Sequence, residues 1–158
     1  HGPARVLERV DRLVQRLPHA PLATVVYAVY DPRHRRLLVA NAGHPPPLLV
    51  PPGGDAEYLA GRSPLLGVSP EALSRARPGP PQRRSERRVT LLTGSHLLLY
   101  TDGLIDAAER AGEDGLGRLR AAVQGFTGSA ADLCQRALTT LAPAPARDDI
   151  CVVAATVA

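Results

Sequence analysis

The sequence predicts an α+β domain in which neighbouring strands pair antiparallel. Short apolar segments rich in β-branched residues are separated by tight turns of Pro, Gly and Asp, a pattern typical of hairpins. The order along the chain is a helix, several hairpin-like strands, then helices, and a closing strand, so most strands are joined by tight turns and not by helices. Such segregation favours a layered α+β domain over a doubly wound parallel sheet.

The first helix is predicted over residues 3–17. Pro3 suits the first helical turn, and apolar residues recur at helical spacing as far as Leu17. Pro18 then ends the helix. Further helices are predicted over residues 115–123 and 129–142, with a short helical piece near 70–74.

The strands begin with a hairpin that turns at Asp31 and Pro32. In order, the predicted strands cover residues 23–30, 36–41, 48–50, 56–59, 85–92, 96–100 and 149–157. The last two are strongly apolar, and both are predicted to be buried. Ser129 and Asp132 stand at the spacing that a cap requires at the start of the last predicted helix.

The composition suits one domain over residues 1–158. The net charge is +4, yet all 19 basic residues are Arg, and most of them are scattered. The exception is the run Arg83, Arg84, Arg87 and Arg88. We interpret this run as a solvated loop or edge strand, because nucleic-acid faces usually cluster Lys with Arg. No nucleic-acid partner is therefore predicted.

Cys134 and Cys151 lie in a predicted helix and a predicted strand, without the paired spacing of a zinc site. We expect two buried thiols in a reducing cytoplasm, and a disulfide stays open as the alternative. No apolar run approaches the roughly 20 residues that span a bilayer, so a cytoplasmic protein without a membrane partner is predicted. The chain contains no Met, even at position 1, which indicates a processed or trimmed chain.

Two acidic motifs adjoin apolar strands. Asp102 and Gly103 come just after one such strand, and Asp148 and Asp149 come just before another. If the two strands are antiparallel neighbours, Asp102 and Asp148 meet at one edge of the sheet, where carboxylates repel each other unless a proton or a cation lies between them. Hard divalent cations such as Mg²⁺ and Mn²⁺ prefer such oxygen ligands. Taken alone, each motif is more typical of a plain turn or a charged strand edge, and together they make a cation site an equal alternative.

Asn41, Gly43 and His44 form a third feature, at the end of a predicted strand and before three prolines. A loop stiffened in this way is able to present His44 to a phosphate or a reacting group. A single loop histidine is more often simply solvated, so both interpretations stay open on the residues alone.

These stretches, in this order, resemble the SpoIIE/RsbU group of PPM-type protein phosphatases, relatives of the eukaryotic type-2C phosphatases. The family's motifs appear here as NAGHPPP from Asn41, SPLLGV from Ser63, LYTDGLID from Leu99 and DDICVV from Asp148. The resemblance covers roughly residues 4–157, nearly the whole chain.

The resemblance implies an antiparallel β-sandwich flanked by helices, with a two-metal centre that holds Mn²⁺ or Mg²⁺. By position, Asp102 and Asp148 bind the metals. Two further groups are implied: Gly103, Asp149 and Asp106 as supporting residues, and Asn41, Gly43 and His44 as a loop near the site. The implied chemistry is single-step hydrolysis by a metal-bound water, with no catalytic side chain beyond it.

The resemblance also implies the substrate, a phosphoserine or phosphothreonine on a small anti-anti-sigma protein of the STAS type in bacterial sigma-factor signalling. The family's first metal motif, G-D-[VM]-x-G-H-G, has no counterpart here, so we expect a domain that lacks its N-terminal part and is weak or inactive as it stands. The alternative is a degenerate, non-catalytic module that binds a regulatory partner. An open sheet edge left by the missing part predicts possible self-association.

Overall fold

The computed structural model describes residues 2–59, 63–76, 83–141 and 149–158. The chain divides into two compact units, the first from residues 1–44 and 60–90 and the second from residues 45–59 and 91–158. In chain order the elements are helix α1 (Pro3–Val14), strands β1 (Val25–Asp31), β2 (Arg36–Ala42), β3 (Leu48–Val50) and β4 (Glu57–Tyr58), helix α2 (Pro70–Ala76), strands β5 (Glu86–Thr90) and β6 (His96–Tyr100), helices α3 (Asp106–Arg110), α4 (Gly115–Val123) and α5 (Ala130–Leu141), and strand β7 (Val152–Thr156). All named strand pairs are antiparallel, which confirms the α+β prediction.

The first unit contains a three-stranded sheet in the order β1-β2-β5. Its hairpin β1–β2 runs in register from Val25 opposite Ala42 to Asp31 opposite Arg36, as the sequence predicts. Leu7 of α1 joins Ala40 and Ala42 of β2, together with Leu66, in one apolar cluster, which packs the helix on the sheet. The backbone at Ala42 is therefore held by β1 on one side and by α1 packed on the sheet.

Helix α1 ends at Val14, earlier than the predicted end at Leu17. Leu17 directly precedes Pro18, and the residue before a proline is disfavoured in helical conformation. The N–H of Leu17 bonds instead to the carbonyl of Val14, a tighter turn than an α-helix makes. The last turn of the predicted apolar stripe is thus lost, and Leu17 is exposed.

The second unit contains a four-stranded sheet in the order β4-β3-β6-β7. Strand β6 lies inside this sheet, and its residue Leu98 is fully buried with Leu119 of α4 and Leu133 of α5 in the main apolar cluster. The start of α5 is capped as predicted: Ser129 Oγ accepts from the N–H of Asp132, whose carboxylate accepts from the N–H of Ser129. Helices α4 and α5 therefore cover this sheet.

Strand β7 corrects one expectation. It lies at the end of the described sheet and Val153 is 52% exposed, so the prediction of a buried last strand was wrong. Cys151, just before β7, is exposed, and Cys134 is half-buried; both are free thiols, so the expected burial was wrong as well. Within the described ranges, no helix combines the length and the apolarity needed to cross a membrane.

Candidate functional site

The turn that follows β6 lies beside the segment that leads into β7. Tyr100 pairs with Val152 in the antiparallel ladder, and the N–H of Thr101 extends it with a 3.0 Å bond to the carbonyl of Cys151. A meeting of Asp102 with Asp148 requires these two strands to be antiparallel neighbours, and that condition is confirmed. The Asp102–Gly103 pair and Asp149 consequently stand at one end of the same strand pair.

The side chain of Thr101 ties the two segments together. Its hydroxyl donates to the carbonyl oxygen of Asp149 at 3.0 Å and accepts from the N–H of Cys151 at 2.9 Å. Because it both donates and accepts, the hydroxyl is fixed in one orientation. Sequence reasoning did not single out Thr101; the available signal was a hydroxyl residue between a buried strand and an Asp-Gly pair.

Gly103 allows the closest approach in this turn. It is buried, and a β-carbon added to it would lie 2.6 Å from the carbonyl oxygen of Asp149. Such a distance is shorter than van der Waals contact permits, so any side chain here would push the two segments apart. Asp102 is exposed, and its Oδ1 accepts from the N–H of Gly103 at 3.1 Å. The turn thus presents the carboxylate of Asp102 to solvent.

Tyr100 anchors the turn from the side of the strand. Its hydroxyl donates to the carbonyl of Pro46 at 3.1 Å, and burial is the largest cause of its raised pKa. Burial likewise raises the pKa of neighbouring Tyr58 to about 12, and the Tyr58 hydroxyl donates to the carbonyl of Leu116 at 2.7 Å. Both phenols therefore remain protonated donors at neutral pH: Tyr100 ties the end of β6 to Pro46, and Tyr58 ties β4 to α4.

The other carboxylates predicted for the site are Asp149, Asp148 and Asp106. Asp149 is exposed, while Asp148 lies outside the described residues, so the meeting of Asp102 with Asp148 stays a prediction. Asp106 begins α3 and forms an ion pair with Arg110 at 3.1 Å. Across the part of the chain that the structure describes, no three His, Cys, Asp or Glu side chains are grouped closely enough to hold a metal ion.

The Asn41–His44 turn is a separate feature of the first unit. The buried Asn41 side chain closes it from both ends: Oδ1 accepts from the N–H of His44 and Nδ2 donates to its carbonyl, each at 2.8 Å. Gly43 inside the turn has φ of +70°, a conformation that side chains with a β-carbon rarely adopt. Asn and Gly at these two positions are thus explained by backbone geometry.

The residues around this turn leave no space for a side chain at Gly43. Its N–H donates to the carbonyl of Ser63 at 2.9 Å, and a β-carbon on Gly43 would lie 2.7 Å from the Cβ of Leu65. The half-buried His44 ring places Nδ1 2.9 Å from the hydroxyl of Thr24. The predicted loop is therefore a hydrogen-bonded turn in which the imidazole of His44 lies beside Thr24.

The antiparallel α+β fold is similar to that of several solved phosphatase domains. A family model described as stage II sporulation protein E (SpoIIE) matches residues 1–158. The chain belongs to the SpoIIE family.

Solved structures agree with this assignment. The fold is similar to the phosphatase domain of SpoIIE from Bacillus subtilis, soaked with manganese, with a TM-score of 0.69 and 11% identity over 97% of this chain and 64% of that one. The RsbU and RsbW domains of a Mycobacterium tuberculosis protein match with a TM-score of 0.66 and 25% identity over 98% of this chain and 42% of that one. The SiaA-PP2C domain of Pseudomonas aeruginosa matches with a TM-score of 0.66 and 20% identity over 98% and 61%. The chain thus spans less than two thirds of the length of each.

Proposed function

We propose that this chain contributes to a metal-dependent protein serine/threonine phosphatase, and that Asp102 and Asp148 hold Mn²⁺ or Mg²⁺ in it. The observation that carries the proposal is the double hydrogen bond of Thr101, which joins the Asp102 turn to the backbone of Asp149. Asp149, Gly103 and Asp106 are proposed to shape the surroundings of the metal-binding carboxylates.

The donor set fits hard divalent cations in kind. Asp102 offers an exposed carboxylate at the end of a buried strand, beside the backbone of Asp149, and oxygen donors of this type suit Mn²⁺ and Mg²⁺. Bound cations of this type lower the pKa of water and neutralise phosphoryl oxygens. The chain's own contribution is to hold the carboxylates: Thr101 and Gly103 fix the turn so that Asp102 keeps its position when phosphate approaches.

The proposed substrate is a phosphoserine or phosphothreonine on a small STAS-type anti-anti-sigma protein, acting in sigma-factor signalling. Membership of the SpoIIE family and the likeness to a structure that carries RsbU and RsbW domains support this choice of substrate class. The positions of Asn41, Gly43 and His44 in the family motif support a role near the reaction, and this role remains a prediction.

The test is Mn²⁺-dependent hydrolysis of a phosphoserine peptide by the protein at its natural length. We expect Asp102→Asn and Asp148→Asn each to reduce kcat/KM by roughly a hundredfold or more, because an amide is a poor replacement for an anionic metal ligand. Glu71→Gln, which removes an exposed charge on α2, is the matched control and should leave the rate unchanged.

A different outcome separates the alternative function. If the protein at its natural length is inert with Mn²⁺ and Mg²⁺ and yet binds a phosphorylated STAS protein as tightly with Asn at position 102 as with Asp, it is a non-catalytic binding module. Hydrolysis that survives both substitutions would instead overturn the assignment of Asp102 and Asp148.

A further inference from the structure

Asp11 and Arg84 form a buried ion pair in the first unit. Arg84 Nη2 lies 2.7 Å from Asp11 Oδ2, and their side chains are 6% and 18% exposed. Removing two charges from water costs several kcal/mol per ion unless their remaining hydrogen-bonding capacity is satisfied. The partners that satisfy this pair therefore indicate what the pair is for.

These partners are backbone groups of one segment, Ser63–Val68. Arg84 Nη1 donates to the carbonyl of Pro64 at 2.5 Å, and its Nη2 also reaches the carbonyl of Leu65 at 3.4 Å. The other carboxylate oxygen of Asp11 accepts from the N–H of Gly67 at 2.9 Å. The guanidinium and the carboxylate thus bond to the segment at Pro64, Leu65 and Gly67.

The same segment contacts the Asn41–His44 turn. The carbonyl of Ser63 accepts from the N–H of Gly43, and Leu65 occupies the space that a side chain on Gly43 would need. A displacement of the Ser63–Val68 segment would therefore remove both the hydrogen bond from Gly43 to Ser63 and the close approach of Leu65 to Gly43. The chain of contacts runs from the ion pair, through the segment, to the turn that carries His44.

Arginine is suited to this position and lysine is not. The planar guanidinium offers several donors in a fixed fork, which here serve one carboxylate and two carbonyls at once. A lysine ammonium keeps the charge but is a single compact donor group, so it cannot reproduce this geometry. A substitution by lysine consequently separates positioning from charge.

We propose that Asp11 and Arg84 are positioning residues, which hold the Ser63–Val68 segment against Gly43 and thereby set the geometry of the Asn41–His44 turn. The apolar cluster of Leu7, Ala40, Ala42 and Leu66 packs α1 and the segment against the sheet through contacts that involve neither Asp11 nor Arg84. A buried ion pair is weak evidence for net stability, and in some proteins such pairs specify geometry instead.

The test is site-resolved hydrogen exchange of the protein at its natural length. In Arg84→Lys, the N–H of Gly43 should exchange roughly tenfold faster, while amides of the β1–β2 ladder change by less than about twofold, because the loss is local. Arg83→Lys is the matched control. Arg83 is next to Arg84 in sequence but is exposed, so this substitution should change the exchange of neither group of amides. Equal acceleration throughout the unit, or none at Gly43, would overturn the proposal.

Two further measurements keep the test decisive. If Arg84→Lys does not fold, the double substitution Asp11→Asn with Arg84→Gln removes both charges together and should give the same local loss at Gly43. Assays of turnover rest on the proposed function: Arg84→Lys should lower kcat roughly tenfold at saturating Mn²⁺, with the metal affinity unchanged. Hydrogen exchange involves no catalysis, so failure of the phosphatase assignment alone would leave its result intact.

Discussion

The carbonyl oxygen of Asp149 lies 2.6 Å from the point where a β-carbon on Gly103 would stand. Two segments far apart in the sequence are thus in backbone contact where β6 ends and the approach to β7 begins. Their closeness depends on the absence of a side chain at residue 103. Since Gly103 does not have positive φ, the need for glycine is one of space and not of backbone conformation.

Gly103→Ala should therefore act through displacement. The added methyl group must push the Asp149 backbone away, which strains both segments and costs about 1–3 kcal/mol in the free energy of unfolding. Urea denaturation followed by circular dichroism measures this loss. We also expect weaker Mn²⁺ binding by the protein at its natural length. Stability and Mn²⁺ affinity equal to those of the unaltered protein would contradict the described contact.

Thr101→Val tests the hydroxyl tie directly. Valine keeps the shape of threonine but removes the bonds to Asp149 and Cys151, and we expect a loss of about 1–2 kcal/mol in the free energy of unfolding. Thr101→Ser keeps the hydroxyl and should lose much less. If serine and valine prove equally destabilising, the loss comes from the methyl group and the tie is unimportant.

Much of the fold was predictable because the local patterns are strong. Strand β6 and helix α4 begin and end at the predicted residues, since each is an apolar or amphipathic run bounded by clear turn residues. Helix α3 was not predicted, because its five residues are too few to show a helical period. The antiparallel pairing of β6 with β7, on which the candidate site depends, was a condition of the sequence prediction and not a result of it, because helices separate the two strands along the chain.

The tertiary contacts around the predicted motifs could not be predicted from the sequence. Arg84 lies in a run of arginines that we interpreted as solvated, and for Arg84 that interpretation was wrong: its side chain is buried against Asp11. Nothing in the sequence distinguishes Arg84 from Arg83, because the difference arises from tertiary packing of residues 73 positions apart. Arg87 and Arg88 agree with the interpretation as an edge strand, because they lie in β5, at the edge of the described sheet.

Gly43→Ala should be strongly destabilising. Alanine is disfavoured at φ of +70° by about 1–2 kcal/mol, and its β-carbon would also collide with Leu65. Gly53→Ala is the matched control, because Gly53 has a similar φ of +65° with no atom within 4 Å of the added carbon. We expect Gly43→Ala to cost about 2 kcal/mol more than the control in urea denaturation. Equal losses would show that conformation, and not packing against Leu65, requires glycine here.

His96 gives the protein a stability that depends on pH. Its ring is buried on β6, packs edge-on against Phe126 with centroids 5.5 Å apart, and places Nδ1 2.9 Å from the hydroxyl of Thr156. Burial lowers the pKa of His96 below its ordinary value of 6.5. The unfolded chain therefore takes up a proton at this residue more readily than the folded protein. Stability should be fully present above about pH 6.5 and should fall as the pH drops through the window between the unfolded and folded pKa values.

Thermal unfolding at a series of pH values from 7.5 downward checks this expectation. The decline that begins near pH 6.5 should be absent in His96→Leu, because leucine keeps the apolar contact with Phe126 and has no proton to bind. The exposed hydroxyl of Thr156, freed of its partner, can bond to water. Thr156→Val is the matched control: it removes the same hydrogen bond but keeps the buried imidazole, so its decline should persist. Carboxylates titrate mainly below about pH 5, so they do not explain a decline that begins near pH 6.5. A decline of equal size in His96→Leu would therefore assign the pH dependence to a group other than His96.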